Sequence, residues 1–169
     1  CLFYHNTESA DFRWGGSESG TVQYPCWSSF PTPFSHNKNL DQQRDHLQLL
    51  KHGDPNGKFW VPAMADAPLR GANGRHEWFW EPGDENAVYP LEDLIDMYYK
   101  SVGRNATLIL GLTPDPQGLM PEGDVKRLEE FGQRVKELTE NPVKSVSGAG
   151  SRINLKLDKR QTVNQVIIQ

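Results

Sequence analysis

The chain has 169 residues, of which 36% are hydrophobic and 10% aromatic, enough for one ordinary domain with a core and unlike a disordered chain. Its 18 basic and 22 acidic residues are mixed along the sequence and give a formal charge of -4, so no basic stripe is available for nucleic acid. The longest apolar stretch, residues 107–112, is far shorter than the roughly 20 residues of a membrane-spanning helix, so no membrane partner is expected.

The N-terminal third predicts a short strand, a long loop, a helix and a second strand. Residues 1–5 are apolar and aromatic, as in a buried strand. Residues 6–39 are rich in Gly, Ser, Pro and aromatic side chains, and a loop of this length is typically functional. Residues 40–52 predict a helix that stops at the turn 53–57, and residues 58–63 predict the next strand.

The middle of the chain alternates loops, helices and a strand. Apolar residues recur every three or four positions after Pro90, which predicts an amphipathic helix with Pro90 in its first turn. The continuous apolar run that follows is typical of a parallel strand covered on both faces. The predicted elements are a loop at 66–85 with a short strand-like WFW at 78–80, a helix from Pro90 to Gly103, a strand at 107–112, a turn at 113–121 and a helix at 125–138.

The C-terminal end has a different pattern. Residues 144–151 form a Ser- and Gly-rich linker. Apolar and polar residues then alternate, and residues 161–169 resemble the second arm of a hairpin, which predicts antiparallel strands. The predicted domains are therefore residues 1–143, a linker at 144–151, and the beginning of a β domain at 152–169.

Strands that alternate with helices predict an α/β fold with a parallel sheet. Only three or four such units precede the linker, whereas a closed (β/α)8 barrel needs eight in about 250 residues. The fold prediction is the C-terminal half of a (β/α)8 TIM-like barrel, followed by the first strands of an antiparallel β-sandwich domain. The remaining N-terminal part of the barrel is then an expected partner.

The two cysteines predict neither a disulfide framework nor a metal site. Cys1 and Cys26 are too few for a framework, and neither has a second cysteine or a histidine at metal-ligand spacing. No metal and no cofactor are predicted. The sequence also shows no charged and then apolar leader, so we expect either that a targeting segment was removed or that the true N-terminus lies elsewhere.

The first candidate site is the glycine-rich segment 11–20, because loops after strands carry the catalytic residues of parallel barrels. A ligand can closely approach Glu18 among its glycines. Arg13 offers a hydrogen-bonding fork, and Trp14 offers a flat face for a sugar ring. The alternative is a solvated glutamate in a flexible loop, since short motifs are weak signals.

The second candidate site is an aromatic and charged segment around residues 59–80. Its candidate substrate-binding residues are Trp60, Asp66, Arg70, His76, Trp78 and Trp80. The alternatives are structural: an aromatic cluster that caps the barrel mouth, an ion pair between Asp66 and Arg70, and a hydrogen-bonded structural imidazole at His76.

The order of these segments resembles glycoside hydrolase family 29, the retaining α-L-fucosidases, over nearly the whole chain. Residues 13–20 are similar to the family's Arg-Trp-x-Gly-Asn-Glu-x-Gly stretch. Residues 60–66 with Arg70, then 78–80, are similar to its Trp-x-Pro-x-Glu-x-Asp and Trp-Phe signatures. Tyr98 and the segments 102–105, 108–112, 114–115 and 118–119 resemble the stretch that leads through the last barrel strand.

The resemblance implies a retaining exo-α-L-fucosidase that acts on a fucosylated oligosaccharide or glycoconjugate, with Glu18 as acid/base and Arg13 and the 78–80 strip near fucose. It also implies secretion or periplasmic export. The sequence departs from the family at Met64, where a glutamate is frequent, at Ser17 and at Gly111, where asparagine is frequent. No convincing match to the nucleophile is found, so the chain alone is predicted to be inactive.

Two other functions remain open at this stage. One is a barrel glycosidase for another sugar, because aromatic walls and acidic loops recur among unrelated hydrolases. The other is a non-catalytic carbohydrate-binding or structural fragment, which the missing nucleophile favours.

Overall fold

The structure, a computed structural model, describes residues 11–32, 44–71, 78–83 and 87–168, and it leaves out the side chains of residues 44–46. The predicted strand at 1–5 lies outside the described residues. The chain divides into two compact units, Cys1–Phe131 and Gly132–Gln169. The elements in chain order are β1 (Arg13–Trp14), β2 (Ser29–Phe30), α1 (Arg44–His52), β3 (Phe59–Trp60), β4 (Ala63–Pro68), α2 (Leu91–Ser101), a 3-10 turn (Val102–Arg104), β5 (Thr107–Gly111) and α3 (Glu122–Thr139).

A three-stranded parallel sheet in the order β1-β4-β5 is the framework of the first unit. The central strand β4 is buried along almost its whole length and consists mostly of small residues, which suits a strand covered on both faces. The described sheet therefore confirms the α/β character and the parallel pairing that the sequence predicts. Closure into a barrel stays a prediction.

The predicted strand at 58–63 is wrong in its bounds. The structure divides this region into β3, which pairs antiparallel with β2, and β4, which belongs to the parallel sheet. Pro62 lies between the two strands. Because proline has no backbone N–H, it cannot continue a ladder, and one strand ends where the next begins.

The helix predictions are confirmed with small shifts. Pro90 precedes the first residue of α2 instead of occupying its first turn. The inner side of α2 includes Leu94 and Met97, which form a core cluster with Ala67 and Leu69. Phe131 of α3 also packs against this cluster. The α1 helix ends at His52, and Gly53 follows with a positive φ of 67°, the usual geometry of a helix stop.

The predicted hairpin in the C-terminal residues is not formed. The structure assigns neither helix nor strand from residue 140 to 168, and the alternating apolar side chains, among them Ile153 and Val163, are about half exposed. A two-stranded hairpin is marginal without a further layer to pack on, so alternation alone does not fix it. The predicted domain limits and the sandwich stay predictions. None of the described helices is long and apolar enough to span a bilayer.

A buried ion pair joins the end of β4 to the first turn of α3. Arg70 Nη2 lies 2.5 Å from Asp124 Oδ1, and both side chains are almost inaccessible to solvent. The ion pair that the described residues show for Arg70 is thus with Asp124, 54 positions away, whereas the sequence alternative places it with Asp66. Removing one member of such a pair leaves a charge stranded in the interior.

Asp124→Ala should lower the free energy of unfolding by about 3–5 kcal/mol, because it removes one member of a buried, hydrogen-bonded ion pair. Urea denaturation followed by circular dichroism measures the change. The matched control is Asp96→Ala, whose ion pair with Lys100 is largely exposed and should contribute less than about 1 kcal/mol. Equal losses in the two variants would contradict the structural role of Asp124.

Candidate active site

The carboxyl ends of β1, β4 and β5 meet at one edge of the sheet, because the three strands are parallel. The described segments that follow these strands are the glycine-rich loop after β1, residues 69–71 and 78–80 after β4, and the turn after β5. Active sites of parallel β/α proteins lie in such loops. This edge thus brings Glu18 of the first predicted segment to Trp78 of the second, whereas Arg13 and Trp60 lie towards the other end of β4.

The loop that carries Glu18 is fixed to β4 at both ends. Gly15 N–H donates to the Met64 carbonyl at 2.8 Å, and Gly20 N–H donates to the Asp66 carbonyl at 2.8 Å. Gly20 has a positive φ of 68°, and a Cβ at this position would lie 2.7 Å from the Met97 sulfur. Only glycine fits there, so the loop returns tightly and leaves Glu18 exposed at its tip.

The Glu18 carboxylate contacts the aromatic segment. Trp78 Nε1 donates a hydrogen bond to Glu18 Oε2 at 3.2 Å, although the two residues are 60 positions apart in sequence. The Trp78 ring lies on Gly111 at the end of β5, where an added Cβ would come within 2.5 Å of Cζ3. A glycine at the end of the strand therefore provides the space that brings the indole to the carboxylate.

Trp14 and Asp66 form a second indole–carboxylate pair. Trp14 Nε1 donates to Asp66 Oδ1 at 2.9 Å, and both side chains are half-buried. This hydrogen bond links the end of β1 to the middle of β4, next to the point where the Glu18 loop is attached. Asp66 thus orients Trp14, and any sugar contact of these two residues stays a prediction.

Arg13 has a structural environment that argues against its predicted sugar contact. Its side chain is fully buried and its guanidinium lies 5.5 Å from the centre of the Phe30 ring. The head donates to three backbone carbonyls: to Leu50 from Nε at 2.8 Å, to Trp27 from Nη2 at 2.8 Å, and to Val61 from Nη1. These donors are used in hydrogen bonds within the protein, and a sugar contact of Arg13 stays a prediction.

Burial shifts the pKa values of Arg13 and Cys26, which lie next to each other. Desolvation lowers the pKa of Arg13, and the adjacent thiol opposes this shift. Desolvation likewise raises the pKa of the Cys26 thiol, which the Arg13 charge counteracts. The thiol lies 3.6 Å from Nη2 as a neutral partner at neutral pH, and a reactive thiolate is not favoured.

The remaining predicted site residues fall into three groups. Arg70 is buried against Asp124, which argues against a sugar contact. Trp60 is 72% exposed on β3, and Trp80 lines an open cavity. His76 lies outside the described residues. Within the described ranges, no three His, Cys, Asp or Glu side chains are placed to hold a metal ion.

Sequence reasoning missed two residues that shape this edge. Asp124 lies in an otherwise ordinary acidic first turn of α3, and its partner is 54 positions away, so no local pattern reveals the pair. Gly111 differs from the residue frequent in the resembled family, but the sequence does not show that its missing side chain accommodates Trp78.

A parallel β/α sheet with a glutamate and tryptophans in the loops at its carboxyl edge has the arrangement of a β/α enzyme. A family model described as Alpha-L-fucosidase matches residues 67–140. Alpha-L-fucosidase 1 from Arabidopsis thaliana is 36% identical over 131 residues, which are 78% of this chain and 24% of that protein. The chain belongs to the α-L-fucosidase family, a family of glycoside hydrolases.

Solved structures agree with this assignment. A protein from Bacteroides thetaiotaomicron VPI-5482, proposed to be an α-L-fucosidase, is 67% identical with a TM-score of 0.81, covering 88% of this chain and 34% of that one. A glycoside hydrolase family 29 fucosidase from Ruminococcus gnavus in complex with fucose is 27% identical with a TM-score of 0.66, covering 85% and 26%. This chain spans only about a quarter of the curated relative's length.

Gly111→Ala should displace the Trp78 ring and break its hydrogen bond to Glu18, because the new methyl group would lie 2.5 Å from Cζ3 and 2.9 Å from Cε3. Overpacking of this kind costs about 1–3 kcal/mol. The indole N–H resonance of Trp78, identified by its loss in Trp78→Phe, should shift in proton–nitrogen correlation spectra.

The control for this experiment is Gly132→Ala, since a Cβ at Gly132 meets nothing within 4 Å. It should leave the Trp78 resonance unchanged. If the Trp78 indole resonance does not shift in Gly111→Ala, the position of the Trp78 ring does not depend on the absence of a side chain at Gly111.

Proposed function

We propose that this chain is part of a retaining exo-α-L-fucosidase that hydrolyses terminal α-L-fucosyl linkages of oligosaccharides or glycoconjugates. The observation that carries the proposal is the position of Glu18, exposed at the tip of a fixed loop and in contact with Trp78. Membership of the α-L-fucosidase family and the fucose-bound Ruminococcus gnavus relative support the choice of sugar.

Glu18 acts as the acid/base of a double displacement. It first protonates the oxygen of the departing group and then removes a proton from the water that releases fucose. Its exposure is necessary, because a leaving group and a water must reach it in turn. The Trp78 indole holds one carboxylate oxygen, which fixes the direction of the other.

The nucleophile comes from a barrel segment outside these 169 residues. Retaining enzymes place two carboxyl groups about 5–5.5 Å apart on either side of the glycosidic bond. No residue in the sequence matches the expected aspartate, and the chain spans only a quarter of the curated relative. The proposed partner of this chain is therefore the N-terminal part of the same barrel.

The aromatic side chains near Glu18 suit the apolar side of a fucose ring. The C6 group of fucose is a methyl, so contact with an aromatic face removes apolar surface from water. Trp78 is half-buried and lies beside the carboxylate, where such a face is needed.

Glu18→Ala in the full-length enzyme should lower kcat for an aryl α-L-fucoside by about 10²-fold or more, the usual contribution of general acid–base catalysis. Azide should partly restore turnover and give a fucosyl azide of retained configuration, because the anion needs no base. The matched control is the exposed Glu129→Ala, which should keep the parent rate. An unchanged kcat in Glu18→Ala would remove Glu18 from catalysis.

The isolated chain should not hydrolyse an aryl α-L-fucoside, since loss of one carboxylate of the pair removes most of the rate. Turnover by the purified chain would contradict the assignment of the nucleophile.

A panel of aryl glycosides with the full-length enzyme distinguishes fucose from another sugar. Calorimetry with L-fucose distinguishes a catalyst from a module that only binds.

A further inference from the structure

A cavity of about 550 Å³ lies between Trp80 and the beginning of α3. The polar and aromatic side chains that line it are those of Trp80, Asp115, Gln117, Glu122 and Lys126. Its volume lies within the range of about 300–1,000 Å³ that is usual for small-molecule sites. None of these residues except Trp80 was among the candidate site residues from the sequence.

The cavity lies at the same edge of the sheet as Glu18. The turn that carries Asp115 and Gln117 directly follows the carboxyl end of β5, where Gly111 contacts Trp78. Trp80 is two residues from Trp78, whose indole holds the Glu18 carboxylate. When the bond to be cleaved lies at Glu18, the other end of the ligand can therefore occupy this cavity.

The wall formed by the turn is preorganised. Asp115 Oδ1 accepts hydrogen bonds from the backbone N–H groups of Gln117 and Leu119, each at 2.9 Å. The Asp115 N–H donates to the Leu119 carbonyl at 2.8 Å, which closes the turn. Asp115 is thus held in place without a ligand, and little ordering is needed on binding.

The lining fits a neutral sugar. An indole face suits the apolar side of a pyranose ring, while carboxylate, amide and ammonium groups supply both acceptors and donors for hydroxyl groups. Two carboxylates and one ammonium leave a net charge of -1 in the lining, which disfavours an anionic ligand. Uncharged hydroxyl groups match this mixture of hydrogen-bond donors and acceptors best.

We propose that this cavity binds neutral sugar residues of the leaving group, that is, the part of the oligosaccharide from which fucose is released. The proposal rests on the proposed function, because the leaving group is defined by cleavage at Glu18. It adds Asp115, Gln117, Glu122 and Lys126 as residues that select the substrate, with Trp80 as the stacking face.

The kinetic test compares two substrates of the full-length enzyme: an aryl α-L-fucoside, whose leaving group is not a sugar, and a neutral fucosylated trisaccharide. Gln117→Ala and Lys126→Met should each lower kcat/KM for the trisaccharide about tenfold, as expected for a lost hydrogen bond, and change the aryl fucoside less than about twofold. Lys136→Met, an exposed lysine further along α3, is the control and should change neither. Equal effects on both substrates, or none on either, would overturn the proposal.

A binding test separates this proposal from the proposed function. Lactose, a neutral disaccharide without fucose, should shift the backbone amide resonances of Gln117, Gly118 and Lys126 in the full-length enzyme, and the shifts should be lost in Gln117→Ala. A sulfated lactose should bind more weakly because of the negative lining. If the full-length enzyme cleaves neither fucoside but lactose shifts these resonances, the fucosidase proposal fails and the sugar-binding cavity stands. Absence of the shifts with lactose overturns the cavity proposal.

Discussion

The first unit depends on the buried guanidinium of Arg13, which donates hydrogen bonds to three separate stretches of backbone. Arg13 donates to the carbonyls of Leu50, Val61 and Trp27, which belong to α1, to the link between β3 and β4, and to the long loop after β1. β1 itself is only two residues long and offers little ladder of its own. A buried carbonyl without a partner costs about 1–3 kcal/mol, so an arginine with several donors is well suited to this position.

Arg13 and Arg70 lie near opposite ends of β4 and have similar tasks. Arg13 N–H donates to the Pro62 carbonyl just before β4, and Arg70 follows its last residues and pairs with Asp124. The sequence predicts that both bind sugar, because Arg13 offers a hydrogen-bonding fork near Glu18 and both residues match motifs of the resembled family. In the structure both side chains are buried and bond to the protein itself, and their sugar contacts stay predictions.

Local hydropathy was enough to predict the helices and the apolar strand. Leu94 and Met97 of α2 are buried, and partly buried apolar residues of β5 and α3 pack against the same cluster. The division of the strand around Pro62 and the absent hairpin depend on which backbone groups find a partner, and hydropathy does not contain that information. The site was partly predictable from the order of its motifs. The partner that each side chain faces, such as Asp124 for Arg70, is a property of distant residues meeting in space.

The contact between Glu18 and Trp78 has a consequence for how the protein matures on the ribosome. The loop that carries the acid is attached to β4, the indole reaches the acid only while lying on the end of β5, and these pieces are far apart in sequence. Pairing of distant segments is slow compared with local helix formation. A nascent chain therefore cannot form the hydrogen bond between Glu18 and Trp78 until the strand ending at Gly111 has emerged and docked, so this contact arises late in synthesis.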